Sequence, residues 1–316
     1  MTLVSHAHST SQAQLRPVPQ EFTHKRVRAE VLLTGWAPAG EDRVTVTARW
    51  PRTHSFYAPV AGRHDPMLLA ETLRQSIPLI SHALYDVPLG HHLIWQHFTY
   101  EVTPGALWAG DAPMDVELRI TCEDITRRGG RLTALTMVIE ILRDGLPLGT
   151  AHTRFSSHAP AIYRRLRGER CTVSSDVAPM PLGGAVPVLP PALVNREHAD
   201  DVVLCPTAAP DQWLLHVDYA HPILFDHPVD HAPGMLLLEA ARQAAHAVQG
   251  ARAGAVLPVR FESAFFRYVE FDAPCLITAS VEPAVYPGER PCVSVTARQE
   301  DTEAFSCRVT VADATA

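Results

Sequence analysis

The chain has 316 residues, 27 Lys+Arg against 34 Asp+Glu, and a formal charge of -7. That balance offers no net basic field to a phosphate backbone, which excludes a nucleic-acid-binding class. At 47% hydrophobic and 19% charged the composition is that of an ordinary globular chain, with length enough for two domains and no apolar run of about 18 residues to span a membrane.

In chain order, residues 1–20 (MTLVSHAHSTSQAQLRPVPQ) read as a polar, mobile arm. They lack a basic segment followed by an apolar run, so no secretory signal is indicated and a cytoplasmic location is expected. VTVTARW (44–50) alternates apolar and polar residues and ends on an aromatic, the pattern of a half-buried strand. Asp65-Pro66 opens a helix that Pro78 is expected to kink or end. DVELRIT (115–121) and LTALTMVIEIL (132–142) are further strands, with GGR (129–131) as a hairpin turn. The Pro/Gly-rich stretch 174–198 lacks periodicity and reads as a linker.

The second half repeats the first. WLLHVDY (213–219) alternates as VTVTARW does. Pro233-Gly234 opens MLLLEAARQAAHAVQ, with Gly250 at its exit. Strands LITASVE (276–282), CVSVTAR (292–298) and SCRVTVA (306–312) follow, with PGERP (287–291) as a turn. His54 and His64 stand 167 positions before His221 and His231. Met67, Glu71, Arg74 and Gln75 stand 168 before Met235, Glu239, Arg242 and Gln243. So constant an offset marks an internal duplication. The expected fold class is α+β: a double hot dog, each unit a long central helix wrapped by a curved antiparallel sheet. Unit 1 is expected over 21–173 and unit 2 over 199–316.

Two charged residues, Glu239 and Arg242, interrupt the very apolar second helix, and Glu71 and Arg74 repeat the anomaly. Such a pair is either an internal i,i+3 ion pair or part of a site. Glu239 is the candidate general base, its pKa expected to rise toward neutrality in apolar surroundings. The N–H groups after Pro233-Gly234 are a candidate oxyanion site, with Gly234 leaving the backbone open to close approach. Arg242 could hold an anionic substrate or orient Glu239. Arg260 and Arg267 could add positive charge or be surface residues, Glu71, Arg74, His64 and Asp65 could build a second, pseudo-symmetric site, and Met235 and Gln243 share the helix face of Glu239. Asp230 and His231 could steer a base or a hydroxyl, or simply cap their loop. His221 and His227 are weaker candidates. Glu71 is expected as helper or relic.

Several chemistries lack their residues. The six cysteines form no C-x-x-C pair and are read as reduced thiols, with no metal site expected. Lys25 is the only lysine, which disfavours Schiff-base chemistry. There is no G-x-G-x-x-G or Walker sequence, so no cofactor is expected, and no G-x-S-x-G nucleophile elbow to form a covalent intermediate. YRRLRG (163–168) is a basic patch: a solvated face, or a meeting point for an acidic partner.

PVDHAPGMLLLEA (228–240) resembles the loop-and-helix signature of hot-dog acyl-thioester enzymes. DRVTVTARWPRTHSFYAPV (42–60), HDPMLLAETLRQ (64–75), YDVPLGHHLIW (85–95), TRFSSHAPAIYRRLRG (153–168), HPILFDHPVDHAPGMLLLEAARQAA (221–245) and RYVEFDAPC (267–275) resemble the AfsA family. These are synthases of γ-butyrolactone autoregulators in streptomycetes and relatives. The resemblance covers the chain from about residue 22 onward. It implies transfer of a β-ketoacyl group from an acyl carrier protein or coenzyme A thioester to the hydroxyl of dihydroxyacetone phosphate, by a monomer or homodimer. A hot-dog thioesterase or dehydratase, and a non-catalytic acyl or butyrolactone sensor, are the competing expectations.

Overall fold

The computed structural model describes residues 14–172, 187–250 and 256–314. Strands β1 (Leu33–Gly40) and β2 (Arg43–Trp50) form a hairpin that leads to helix α1 (Met67–Ala83). Strands β3 (His92–Val102), β4 (Met114–Arg128), β5 (Arg131–Arg143) and β6 (Leu146–His158) follow, then the short helix α2 (Pro160–Arg167). The second half repeats the plan: β7 (Leu204–Pro206), β8 (Gln212–Leu215), helix α3 (Gly234–Ala247), then β9 (Val256–Phe265), β10 (Leu276–Val281), β11 (Cys292–Gln299) and β12 (Thr302–Asp313).

These strands form one sheet in the order β1-β2-β4-β5-β6-β3-β9-β12-β11-β10-β8-β7. Read outward from the β3–β9 junction, each strand of one half meets its counterpart at the same place in the other. The chain is therefore the expected double hot dog, pseudo-twofold about an antiparallel junction that pairs Phe98 with Ser263 and Tyr100 with Phe261. The Tyr100 and Phe261 rings stack there, centroids 5.0 Å apart.

The alternation read from the sequence is the alternation of burial. Val44, Val46, Ala48 and Trp50 face the core from β2, and the Trp50 indole N–H donates to Thr72 on α1 at 2.8 Å. Met235 to His246 of α3 are all buried. A helix apolar on every face must be surrounded, and the curved sheet with its overlying segments does this. Gly129 and Gly130 take φ of 58° and 79° in the β4–β5 turn, which suits a two-residue hairpin.

Four expectations are corrected. Pro78 does not end α1, which runs on to Ala83; burial of Leu79 and Ile80 outweighs one lost hydrogen bond. Strand β8 ends at Leu215, although the His216 N–H still donates to the Val203 carbonyl at 2.9 Å and burial alternates on to Val217. The mobile arm does not reach residue 20, because Arg16 exchanges backbone hydrogen bonds with Trp36 at 2.8 and 3.0 Å; residues 1–13 lie outside the described residues. Finally, residues 187–198 are not a slack linker. They form a strap with a 3-10 turn (Pro191–Val194), a left-handed Asn195 (φ 52°) and a buried Arg196. Its counterpart in unit 1 is a 3-10 turn (Gln20–Thr23), a left-handed His24 (φ 52°) and a buried Lys25.

Candidate active site

The duplicated Glu, Arg and Gln on the two helices build the same cage twice. In α3, Arg242 donates to both Glu239 oxygens at 2.9 Å and to the Val194 carbonyl at 3.1 Å. Gln243 donates to Glu239 at 2.6 Å and to the Asp201 carbonyl at 2.7 Å, and accepts from the Val203 N–H at 2.9 Å. In α1, Arg74 donates to Glu71 at 2.9 and 2.8 Å and to the Thr23 carbonyl at 3.3 Å. Gln75 donates to Glu71 and to the Glu30 carbonyl, both at 2.8 Å, and accepts from the Leu32 N–H at 2.9 Å. The carboxylates therefore bolt each helix to its strap, satisfying backbone groups that would otherwise be orphaned.

The third partner of each cage differs. Arg196 forks onto Glu239 at 2.9 and 2.7 Å, so Glu239 faces two guanidiniums and is 0% exposed. Lys25 lies 3.7 Å from Glu71 and 3.7 Å from Asp226. Burial pushes the Glu239 carboxyl up, but the charges and hydrogen bonds of Arg196 and Arg242 prevail and hold it down, to about 2. The expected rise toward neutrality is reversed. An ionised carboxylate holding five hydrogen bonds is a poor proton acceptor, and Glu239 is not among the residues that line the large cleft.

The large cleft lies elsewhere, at the start of α3. It encloses about 1100 Å³ and is bounded by the first residues of β3, by α2, by the loop before α3 and by residues 265–270. Asp230 and His231 sit at a bend in that loop, and Pro233, at φ -59° and ψ 146°, leads it into the helix. Asp230 Oδ1 lies 2.6 Å from His231 Nδ1, which fixes the tautomer with Nδ1 as donor and leaves Nε2 as acceptor. His231 keeps 28% of its side chain exposed to the cleft.

Asp230 is itself anchored from unit 1. The Tyr163 hydroxyl is 2.8 Å from both its oxygens, and Arg167 donates to its side chain at 3.3 Å and its carbonyl at 2.9 Å. Arg167 is pinned in turn by Glu270, at 2.5 and 2.8 Å, and lies over the Tyr268 ring. Burial works to raise the Asp230 carboxyl, but hydrogen bonds from His231 and Tyr163 and the charges of His231 and Arg167 hold it far below the usual range. A carboxylate so fixed orients an imidazole and stabilises it once protonated. His92 stacks flat on Tyr163 at 3.5 Å, and burial lowers its pKa.

Gly234 and Met235 line the same cleft, and no side chain caps the first turn of α3. The orphan N–H groups of that turn form a ready site for developing negative charge. A Cβ on Gly234 would stand 2.6 Å from the Trp95 ring, so glycine here makes room for Trp95. The apolar part of the wall is Trp95, Phe155, Phe265 and Leu237.

The remaining sequence candidates divide. Glu71, Arg74, Met235, Asp230, His231, His227 and Arg267 line the cleft. Arg242 and Gln243 do not; both are buried in the Glu239 cage, so Arg242 orients Glu239 and does not hold an anionic substrate. Arg260 lies on β9, paired with Glu101 at 3.0 Å and Glu262 at 2.9 Å, away from the cleft. His221 Nδ1 accepts the Ile223 and Leu224 amides, as His54 Nδ1 accepts those of Phe56 and Tyr57; both histidines hold turns. Sequence reasoning missed Arg196, hidden in a supposed linker, and the roles of Tyr163, Arg167 and Glu270. The one available signal for Arg196 was a second basic residue standing 171 positions after Lys25.

Two helix-in-sheet units, joined edge to edge around an acyl-sized cleft, define a double hot-dog protein. The sequence comparisons narrow this. The family model for the A-factor biosynthesis hotdog domain, AfsA, matches residues 6–158 and again 182–312. A Streptomyces virginiae protein named 2-oxo-3-(phosphooxy)propyl 3-oxoalkanoate synthase is 44% identical over 92% of this chain and 96% of its own. A Streptomyces coelicolor protein of the same name is 40% identical over 95% and 93%. The chain belongs to the AfsA family. Among solved structures, a Lactobacillus plantarum protein described as an oleoyl thioesterase matches with a TM-score of 0.52 at 10% identity, over 85% of this chain and 96% of that one; this likeness concerns the fold alone.

Proposed function

We propose that the chain transfers a β-ketoacyl group from an acyl thioester to the hydroxyl of dihydroxyacetone phosphate, and that His231 is its general base. The reading of the reaction draws on the named activity of relatives at 44% and 40% identity over nearly the whole chain. The reading of the site rests on one observation: the Asp230–His231 pair opens into the large cleft beside the uncapped start of α3.

In this scheme His231 Nε2 takes the hydroxyl proton as the oxygen attacks the thioester carbonyl. The first-turn amides of α3 stabilise the tetrahedral oxyanion, and Asp230 stabilises the imidazolium. The C–S bond then breaks, and the proton passes from His231 to the leaving thiolate. Ester and free thiol are the products, with no acyl-enzyme. Arg267 is exposed at the cleft, and no carboxylate among the described residues pairs with it; it is the candidate for the acceptor's phosphate. The β-keto acyl tail would lie along Trp95, Phe155 and Phe265.

The test is incubation with a β-ketoacyl thioester, with and without dihydroxyacetone phosphate, followed by mass spectrometry. The phosphorylated keto ester should form only with both substrates. Thiol release that ignores the acceptor would mean a thioesterase instead.

A further inference from the structure

Helix α2 is amphipathic the wrong way round for an isolated surface helix. Tyr163 and Arg167, one turn apart, point inward to hold Asp230. Its outward face carries Ile162 and Leu166, also one turn apart and 49% and 61% exposed. Arg164 and Arg165 are exposed between them, and neither has a carboxylate partner among the described residues. On a chain of net charge -7 this is a local concentration of positive charge and bare aliphatic surface. It also borders the working cleft, which Arg164, Leu166, Phe266 (55% exposed) and Arg267 line at its mouth.

Resting on the acyl-transfer reading above, we propose that this face of α2 is the docking surface for an acidic acyl carrier protein that delivers the thioester into the cleft. The two kinds of side chain fit one partner: acidic groups to meet the arginines and small apolar residues to cover Ile162 and Leu166. Coenzyme A also offers phosphates to the arginines, but a folded acidic partner covers two exposed aliphatic side chains one turn apart more completely than its adenine and pantetheine do. The position matters equally. A thioester on a flexible arm must enter beside its carrier, and α2 forms one wall of the cleft that holds Asp230 and His231.

The experiment compares wild type with the double variant Ile162→Ser/Arg165→Glu, which alters two exposed side chains that do not line the cleft. Three donors carry the same β-ketoacyl group: an acidic acyl carrier protein, coenzyme A and N-acetylcysteamine. The proposal expects kcat/KM for the carrier-bound donor to fall by about 10-fold or more, since charge reversal opposes steering and docking. The two small donors should stay within about twofold, and KM for the carrier-bound donor alone should rise steeply with salt. Equal rates with all three donors, an equal loss on all three, or a wild type that uses the small donors and not the carrier, overturns the docking surface while leaving the reaction standing. Binding of wild type to anionic phospholipid vesicles that the double variant loses, with carrier kinetics unchanged, would assign the face to a membrane and also overturn it. A wild type that forms no ester from any donor would instead strike the functional reading itself.

Discussion

The starts of the two central helices descend from one ancestor and now do opposite things. At α1, Asp65 accepts the Met67 N–H at 2.8 Å, so the first turn is capped by its own chain, and Arg196 reaches across to Asp65 at 3.4 Å. His64, the counterpart of His231, is 1% exposed, packs edge-on against Trp50 and has no hydrogen-bond partner on either ring nitrogen. Burial lowers its pKa to about 4, so it is a neutral core residue. At α3, proline and glycine replace the capping Asp65-Pro66, the histidine has gained a carboxylate neighbour, and the cleft opens beside it. The glutamate cage is kept in both units, whereas the uncapped helix start and the carboxylate beside the duplicated histidine occur only at α3.

This comparison can be broken at several points. The largest effect on stability should come from Glu239→Gln, which leaves Arg242 buried with no carboxylate and Arg196 with only Asp65, at 3.4 Å. A loss of about 3–5 kcal/mol is expected in urea unfolding. Glu71→Gln should cost less, because Arg74 keeps 21% of its side chain exposed and can be hydrated. A larger loss for Glu71→Gln than for Glu239→Gln would refute the ranking of the two cages.

Next comes Pro233→Asp, which copies the α1 cap onto α3. It should lower kcat by roughly 10²–10³-fold, the effect of losing an oxyanion donor, while thermal stability holds or improves by about 1 kcal/mol. Unchanged kcat would remove the α3 amides from the mechanism. The mirror change, Asp65→Ala, removes the cap and the Arg196 contact together and should cost about 2 kcal/mol of stability, with kcat unaltered.

The ranking of the cages also carries a pH dependence. The Glu239 pKa is depressed from its ordinary value of 4.5 to about 2. Its contribution is therefore complete above 4.5 and disappears as pH falls toward 2. The stability gap between wild type and Glu239→Gln should narrow over that window. A gap that widened on acidification would mean that Glu239 is protonated in the native state.

Much of this was legible from residue order alone. The period-2 strands, the two buried helices, the duplication and the loop holding Asp230 and His231 all follow from local patterning that burial later confirms. The roles within the site were not legible, for a physical reason. Burial and one arginine at i+3 push a carboxylate in opposite directions, and the sequence does not say which prevails. The second guanidinium decides it, and Arg196 arrives from 43 residues away. The strap that carries it keeps the shape of its counterpart but little of its sequence: of residues 20–33 and 191–204, only Val31/Val202 and Leu33/Leu204 are identical. Tyr163 and Arg167 likewise reach Asp230 across 67 and 63 residues, a link set by the β3–β9 junction and invisible to periodicity.

The central claim is that the working proton acceptor is His231 and that Glu239 is structural. Single-turnover ester formation at neutral pH, measured for His231→Gln and for the folded fraction of Glu239→Gln, tests it directly. The account predicts a fall of about 10²–10⁴-fold for His231→Gln and a near-native rate for folded Glu239→Gln. The reverse pattern, an active His231→Gln and a folded but inert Glu239→Gln, would contradict it.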